Sequence, residues 1–157
     1  MRDRGVRAAG SVKGKRFVLI ASQFHASLVR SLVRGAAGTL RRHGAASGAI
    51  RVVWAPGAFE LPVVAARAAR MRPRPHAIIA LGVLIRGQTS QYEVIAHAVA
   101  QGLSQVSVST RIPVTFGVIV ASTRAQAAAR AGGSLENRGE EAALAALAVL
   151  RLFETLT

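Results

Sequence analysis

Apolar positions along the chain alternate between two rhythms. Short, mainly apolar runs stand at 17–21 (Phe-Val-Leu-Ile-Ala), 50–54 (Ile-Arg-Val-Val-Trp), 77–81 (Ala-Ile-Ile-Ala-Leu) and 114–120. Runs of this length, bounded by Gly, Pro or polar residues, predict short strands buried in a sheet. Between them the spacing becomes helical. Leu28, Leu32, Val33, Ala36 and Leu40 mark one face of a helix over 27–43, and Gly44 is its C-cap. The Pro56-Gly57 turn opens a helix over 59–71, which Pro73 and Pro75 end. A loop through Gly87 leads to a helix over 90–104, and two more are expected at 124–131 and 138–155.

The order is therefore β-α-β-α-β-α-β-α-α. Strands alternating with helices imply a mainly parallel sheet covered on both faces. Right-handed crossovers then give an α/β fold, a three-layer α/β/α sandwich around a central four-stranded, flavodoxin-like sheet. Ligands of such sheets sit beyond the carboxyl ends of the strands. The segments to inspect are thus 22–25, 55–60, 82–90 and 122–123. Residues 1–15, rich in Arg and Gly, are expected to form a flexible basic N-terminal arm, and residues 16–157 a single domain.

Composition narrows the function classes. The chain has 157 residues, 51% of them apolar, which is enough for one core. There are no cysteines, so disulfides and thiolate chemistry are excluded. No apolar run is long enough to span a bilayer, and the N-terminus lacks the apolar stretch of a secretory signal. A cytoplasmic protein is the expectation. The formal net charge is +14, carried almost entirely by Arg. Non-specific attraction to polyanions follows from that charge alone. The seven aromatic residues, five Phe with one Trp and one Tyr, form no cluster that would make a nucleic-acid stacking platform.

Several common chemistries are missing. No GxGxxG follows any strand, and residues 10–15 resemble a P-loop only faintly, one residue short and ahead of the first strand. The acidic residues and the four His are too scattered to suggest a metal site. No metal site is expected from these residues.

The strand ends offer more. After the third strand, Ser90 and Glu93 have capping-box spacing, so a helix is expected to begin there. A helix start after Gly87 is either an anion site or a turn that the glycine eases beside a solvated Arg86. Phe24, after the first strand, either stacks on a planar ligand or edges the core. Glu60, after the second, either touches a ligand or interacts with its own helix dipole.

Taken together, these segments resemble the lumazine synthase family. The resemblance rests on Ser22-Gln23-Phe24, the run 56–62 (Pro-Gly-Ala-Phe-Glu-Leu-Pro), the run 82–89 (Gly-Val-Leu-Ile-Arg-Gly-Gln-Thr), the run 113–118 (Pro-Val-Thr-Phe-Gly-Val), Arg130-Ala131-Gly132 and the run 137–143 (Asn-Arg-Gly-Glu-Glu-Ala-Ala). It implies a transferase of riboflavin biosynthesis. Such an enzyme condenses 5-amino-6-(D-ribitylamino)uracil with 3,4-dihydroxy-2-butanone 4-phosphate, releasing phosphate and forming 6,7-dimethyl-8-ribityllumazine. By the same resemblance Phe24 stacks on the pyrimidinedione. Ala58, Phe59, Glu60 and the backbone at Leu84 and Ile85 hold the ribityl chain and ring edge, and Phe116 walls the pocket. Gln88 and Thr89 bind the phosphate, and Arg130 of a neighbouring subunit completes that site.

The resemblance further implies a homo-oligomer, a pentameric ring or a hollow shell of twelve pentamers. The sheet is then open to a further strand from a neighbour's N-terminal segment. The segment 131–139 has the short loop length of shell formers, with Glu136 at a position usually Gly. Two other departures bear on chemistry. Gln91 stands where the family usually has the His read as general acid/base, and Gln cannot titrate near neutrality. His25 stands where Asn is usual, and is the candidate to supply part of the missing proton transfer. The alternative is a weakly active or inactive homologue, a basic scaffold for anionic cargo. A polyanion-binding module is a third reading, resting on charge alone.

Overall fold

The computed structural model describes residues 11–157. The expected arm is therefore seen only in part, and residues 1–10 lie outside the described residues. Residues 11–15 make a turn with Gly14 at φ 83°. Val12 is buried there, and its amide donates to the His43 carbonyl at 2.9 Å. The packed part of the chain thus includes Val12, ahead of the boundary expected at 16, because the Val12 side chain joins the core.

Four strands form one sheet: β1 (Phe17–Ser22), β2 (Ile50–Ala55), β3 (Ala77–Ile85) and β4 (Val114–Ala121). Their spatial order is β2-β1-β3-β4, and all three pairings are parallel. Five α-helices follow the strands: α1 (Ala26–Arg42), α2 (Leu61–Ala68), α3 (Gln91–Thr110), α4 (Arg124–Arg130) and α5 (Arg138–Thr155). The chain is thus the three-layer flavodoxin-like sandwich that the alternation predicts.

Period two along each strand splits the core in two. Phe17, Leu19 and Ala21 of β1 point to one face with Ile79 and Leu81 of β3, where α1 and α5 cover them. Val18 and Ile20 point to the other with Ile78 and Ala80, beneath α2 and α3. On α1 the buried stripe runs through Val29, Leu32, Ala36 and Leu40, while Leu28 and Val33 are only partly buried. Gly44 ends the helix at φ 100°, a left-handed conformation that costs glycine little.

Two differences from the sequence expectation matter for the site. β3 continues to Ile85 rather than ending at Leu81, because the apolar run persists through Val83, Leu84 and Ile85 and β4 pairs with it throughout. Leu84 and Ile85 are therefore strand residues. The helix expected from residue 59 is preceded by a 3-10 turn (Ala58–Glu60) and starts at Leu61, with Pro62 in its first turn.

Candidate functional site

The carboxyl ends of β1, β2 and β3 open into one cleft of ≈ 570 Å³. That size suits a small organic substrate. Phe24 and His25 come from the β1 end. Gly57, Ala58, Phe59 and Glu60 come from the turn after β2. Leu84, Ile85, Gln88, Thr89 and Gln91 come from the end of β3 and the start of α3.

Each corner has a local cause. The Gln23 amide donates to the Ala55 carbonyl at 3.0 Å, which ties the first two corners together. His25 then turns the chain into α1 at φ 56°, and its carbonyl accepts from the Leu28 and Val29 amides at 3.0 and 3.1 Å. Left-handed backbone is uncommon outside glycine, and His and Asn are among the side chains that tolerate it best. Phe24, just before this turn, projects into solvent with 69% of its surface exposed. Phe59, which also lines the cleft, is 62% exposed, whereas Ala58 beside it is buried. Two large exposed rings lining one cleft are poorly placed for a folded monomer and offer apolar surface to a planar ligand.

At the β3 end the Arg86 amide donates to the Ala121 carbonyl at 2.9 Å, the last link to β4. The chain then leaves the sheet through Gly87. The expected capping box does not form. Ser90 sits at φ −78°, ψ 13°, outside the extended conformation that aims an N-cap side chain at the helix amides, and its hydroxyl makes no capping bond. Glu93 instead accepts from the Tyr92 hydroxyl at 3.1 Å. Thr89 takes over part of the role, its hydroxyl oxygen accepting from the Gln91 amide at 3.4 Å. The positive end of α3, twenty residues long, faces the cleft beside Gln88 and Thr89, an arrangement that favours an anion.

His25 is the titratable imidazole of the cleft lining. Burial holds its pKa below the ordinary value, and the Arg124 guanidinium lowers it further. The ring is thus largely neutral at pH 7, the form that accepts a proton.

Two of the expected site residues lie elsewhere in the chain. Phe116 sits on β4 opposite Ala80, 39% exposed, and does not line this cleft. β4 is the edge strand of the sheet next to β3. Arg130 ends α4 and its guanidinium pairs with Glu136. Arg138 joins the same group, 3.7 Å from Glu136 and 3.2 Å from Glu141. A hydrogen bond from Glu141 and the two guanidiniums hold Glu136 below the usual carboxylate range, while burial and that shared bond raise Glu141. Among the described residues no group of three or more His, Cys, Asp or Glu stands together as a metal site. Nor is any helix among them long and apolar enough to cross a membrane.

Tyr92 and Ile95 also line the cleft and were not singled out by the sequence, whereas Gly57 and Val83 fall within the segments 55–60 and 82–90 marked there. Tyr92 and Ile95 follow Gln91 within the first turns of α3, so placing that helix start at the strand end is the signal that finds them.

Comparison with known proteins agrees with the resemblance noted above. Residues 14–154 match the family model described as 6,7-dimethyl-8-ribityllumazine synthase. A protein of that name from Aquifex aeolicus is 44% identical over 146 residues, covering 93% of this chain and 94% of its own. One from Chlorobium phaeobacteroides is 42% identical over 153 residues and 98% of each chain. Another, from Leuconostoc mesenteroides, is 38% identical over 142 residues and 90% of each.

Proposed function

The chain belongs to the 6,7-dimethyl-8-ribityllumazine synthase family, and from that premise we propose how its cleft performs the reaction. It is a transferase of riboflavin biosynthesis. The amine of 5-amino-6-(D-ribitylamino)uracil condenses with the ketone of 3,4-dihydroxy-2-butanone 4-phosphate, phosphate leaves, and the second ring closes. The observation that carries the assignment is the gathering of Phe24, Ala58, Glu60, Gln88, Thr89 and Gln91 from three separate strand ends into one cleft.

In this reading Phe24 stacks on the pyrimidinedione, with Phe59 at the rim. Glu60, Ala58 and the β3 backbone at Leu84 and Ile85 hold the ring edge and ribityl chain. Gln88 and Thr89 take the phosphate at the start of α3. Arg130 and Phe116 are not among the residues that line the cleft of their own chain, so in this reading the guanidinium for the phosphate and the wall provided by Phe116 come from a neighbouring subunit. No metal or organic cofactor takes part.

Magnitudes place the burden of catalysis. Holding two reactants in a reactive geometry is worth about 7 to 11 kcal/mol, and general acid–base catalysis about 3 to 5. The cleft supplies the first. Gln91 cannot supply the second, so His25 carries proton transfer in part, together with ordered water or the substrate phosphate.

A ring of subunits, pentameric in this family, fits the surface. Of the twenty residues of α3 only Val99 and Leu103 are buried, while Val94 is 67% and Val108 is 78% exposed. An apolar helix face left so open favours a protein partner. The free edge of β2, with Val52 and Trp54 over a third exposed, would accept a neighbour's N-terminal strand. Twelve such pentamers would make the shell. The cytoplasm is the location that this biosynthetic role assigns, and the +14 charge gives a salt-sensitive attraction to polyanions without a dedicated site.

Steady-state formation of 6,7-dimethyl-8-ribityllumazine from the two substrates tests the reading. Purified protein should exceed the uncatalysed condensation by orders of magnitude. A rate equal to that background would overturn it and favour the scaffold alternative.

A further inference from the structure

The segment after α4 folds back on the helix that Arg130 ends. The Glu136 amide donates to the Ala129 carbonyl at 3.2 Å, and the Glu136 carbonyl accepts from the Gly132 amide at 2.9 Å. Gly132 reaches the required turn at φ 92°. Asn137 then caps α5, its side-chain oxygen accepting from the Gly139 and Glu140 amides at 2.8 and 3.2 Å. Glu136 is thus fixed at its backbone on both sides. Its partly exposed carboxylate therefore starts from a fixed backbone position within reach of Arg130.

The guanidinium of Arg130 has five N–H donors in one plane. Glu136 takes the Nη1 arm. With Arg138 and Glu141 in the same cluster, two positive charges face two carboxylates. A phosphate approaching Arg130 therefore meets a guanidinium that is already partly neutralised and has one arm occupied.

We propose that Glu136 is a specificity-determining residue of the phosphate site, a built-in anion that positions Arg130 and competes with phosphate for it. This rests on Arg130 serving as phosphate ligand to the neighbouring cleft. Glu136 weakens the hold on the phosphorylated substrate and equally on the inorganic phosphate product, so it favours release over retention. Partly exposed ion pairs of this kind are worth a modest amount, which as a ratio of affinities is about two- to fivefold.

The test uses the full-length assembled protein with Glu136→Gln, which keeps the side-chain shape and removes its charge. The readouts are the inhibition constant of inorganic phosphate and the KM of each substrate. Phosphate inhibition should tighten about two- to fivefold, the KM for 3,4-dihydroxy-2-butanone 4-phosphate should fall alongside it, and the KM for the uncharged amine should stay put. Glu136→Gly removes the carboxylate by a different route and should shift phosphate affinity in the same direction. Unchanged or weaker phosphate binding in both variants would overturn the proposal. Arg130→Ala separates the two layers of the argument. If it leaves phosphate inhibition unaltered, the assignment of Arg130 itself fails. If it weakens phosphate while both Glu136 variants leave it unaltered, only the competing-anion role fails.

Discussion

The ring of Phe24 lies against Gly57. A Cβ at position 57 would stand 3.4 Å from Phe24 Cδ2 and Cε2 and 3.1 Å from Glu60 Oε2. The bare backbone of Gly57 thus lets an aromatic ring from the β1 end and a carboxylate from the β2 turn share one side of the cleft. Gly57→Ala should leave the fold intact, since φ −155° suits any residue and the ring contact is ordinary. It should displace the Glu60 carboxylate by a few tenths of an ångström. The expected result is a KM for the amine substrate raised about threefold or more, with thermal stability changed by less than ~1 kcal/mol. An unchanged KM would detach Glu60 from substrate binding.

His25 has a backbone role at the start of α1 and, in the proposed reaction, a proton role, and one substitution separates them. Burial and Arg124 lower its folded pKa, so between that value and the unfolded value of about 6.5 the unfolded chain binds more protons. The stability contribution is complete above the unfolded pKa and is lost as pH falls through the folded one. His76, lowered by burial and by Arg16 and Lys15, acts in the same sense. His25→Asn keeps a side chain suited to φ 56°. It should reduce the loss of stability on acidification below about pH 6.5 and lower kcat about tenfold or more, removing the acidic limb of the rate profile. A pH–rate profile that does not move would take His25 out of the chemistry.

How much of this was legible in the sequence differs by residue. The strand-end segments that build the cleft followed from alternation alone, because buried parallel strands are short and apolar whatever their context. The end of α3 did not. Residues 106–110 (Val-Ser-Val-Ser-Thr) are poor helix formers, yet the helix runs to Thr110. Tertiary contacts hold it, with the Ser107 hydroxyl donating to the Ile112 carbonyl at 3.0 Å and accepting from the Val114 amide at 3.1 Å. The Arg130–Glu136 pair was illegible for another reason: it spans a loop without periodicity, and only the backbone turn at Gly132 brings the two together.

Gln91 lines the cleft at the first residue of α3, where a titratable side chain would reach the substrates. Gln91→His should raise kcat about tenfold or more and add an ionisation near neutral pH to the rate profile. Identical kcat and profile would mean that proton transfer at this position does not limit turnover.

Helices α1 and α5 approach until a Cβ at Gly139 would lie 2.1 Å from the Leu32 carbonyl oxygen and 2.9 Å from Asn137 Oδ1. Both atoms are held by other bonds, so neither can retreat cheaply. Gly139→Ala should cost about 1 to 3 kcal/mol or more and lower Tm by at least about 3 °C. Equal Tm by thermal unfolding would show that the helix pair can spread without penalty.

The central claim is that each working cleft is completed by Arg130 of another subunit, since Arg130 pairs with Glu136 away from the cleft lining of its own chain. The direct measurement is activity of hybrid assemblies. One variant carries Phe24→Ala and Glu60→Ala, and the other carries Arg130→Ala, each expected to be nearly inactive by itself. Co-expressed and purified together, they should recover about one quarter of wild-type activity, because random mixing places an intact cleft beside an intact Arg130 at about that fraction of interfaces. Hybrid activity no greater than the average of the separate variants would contradict the shared site.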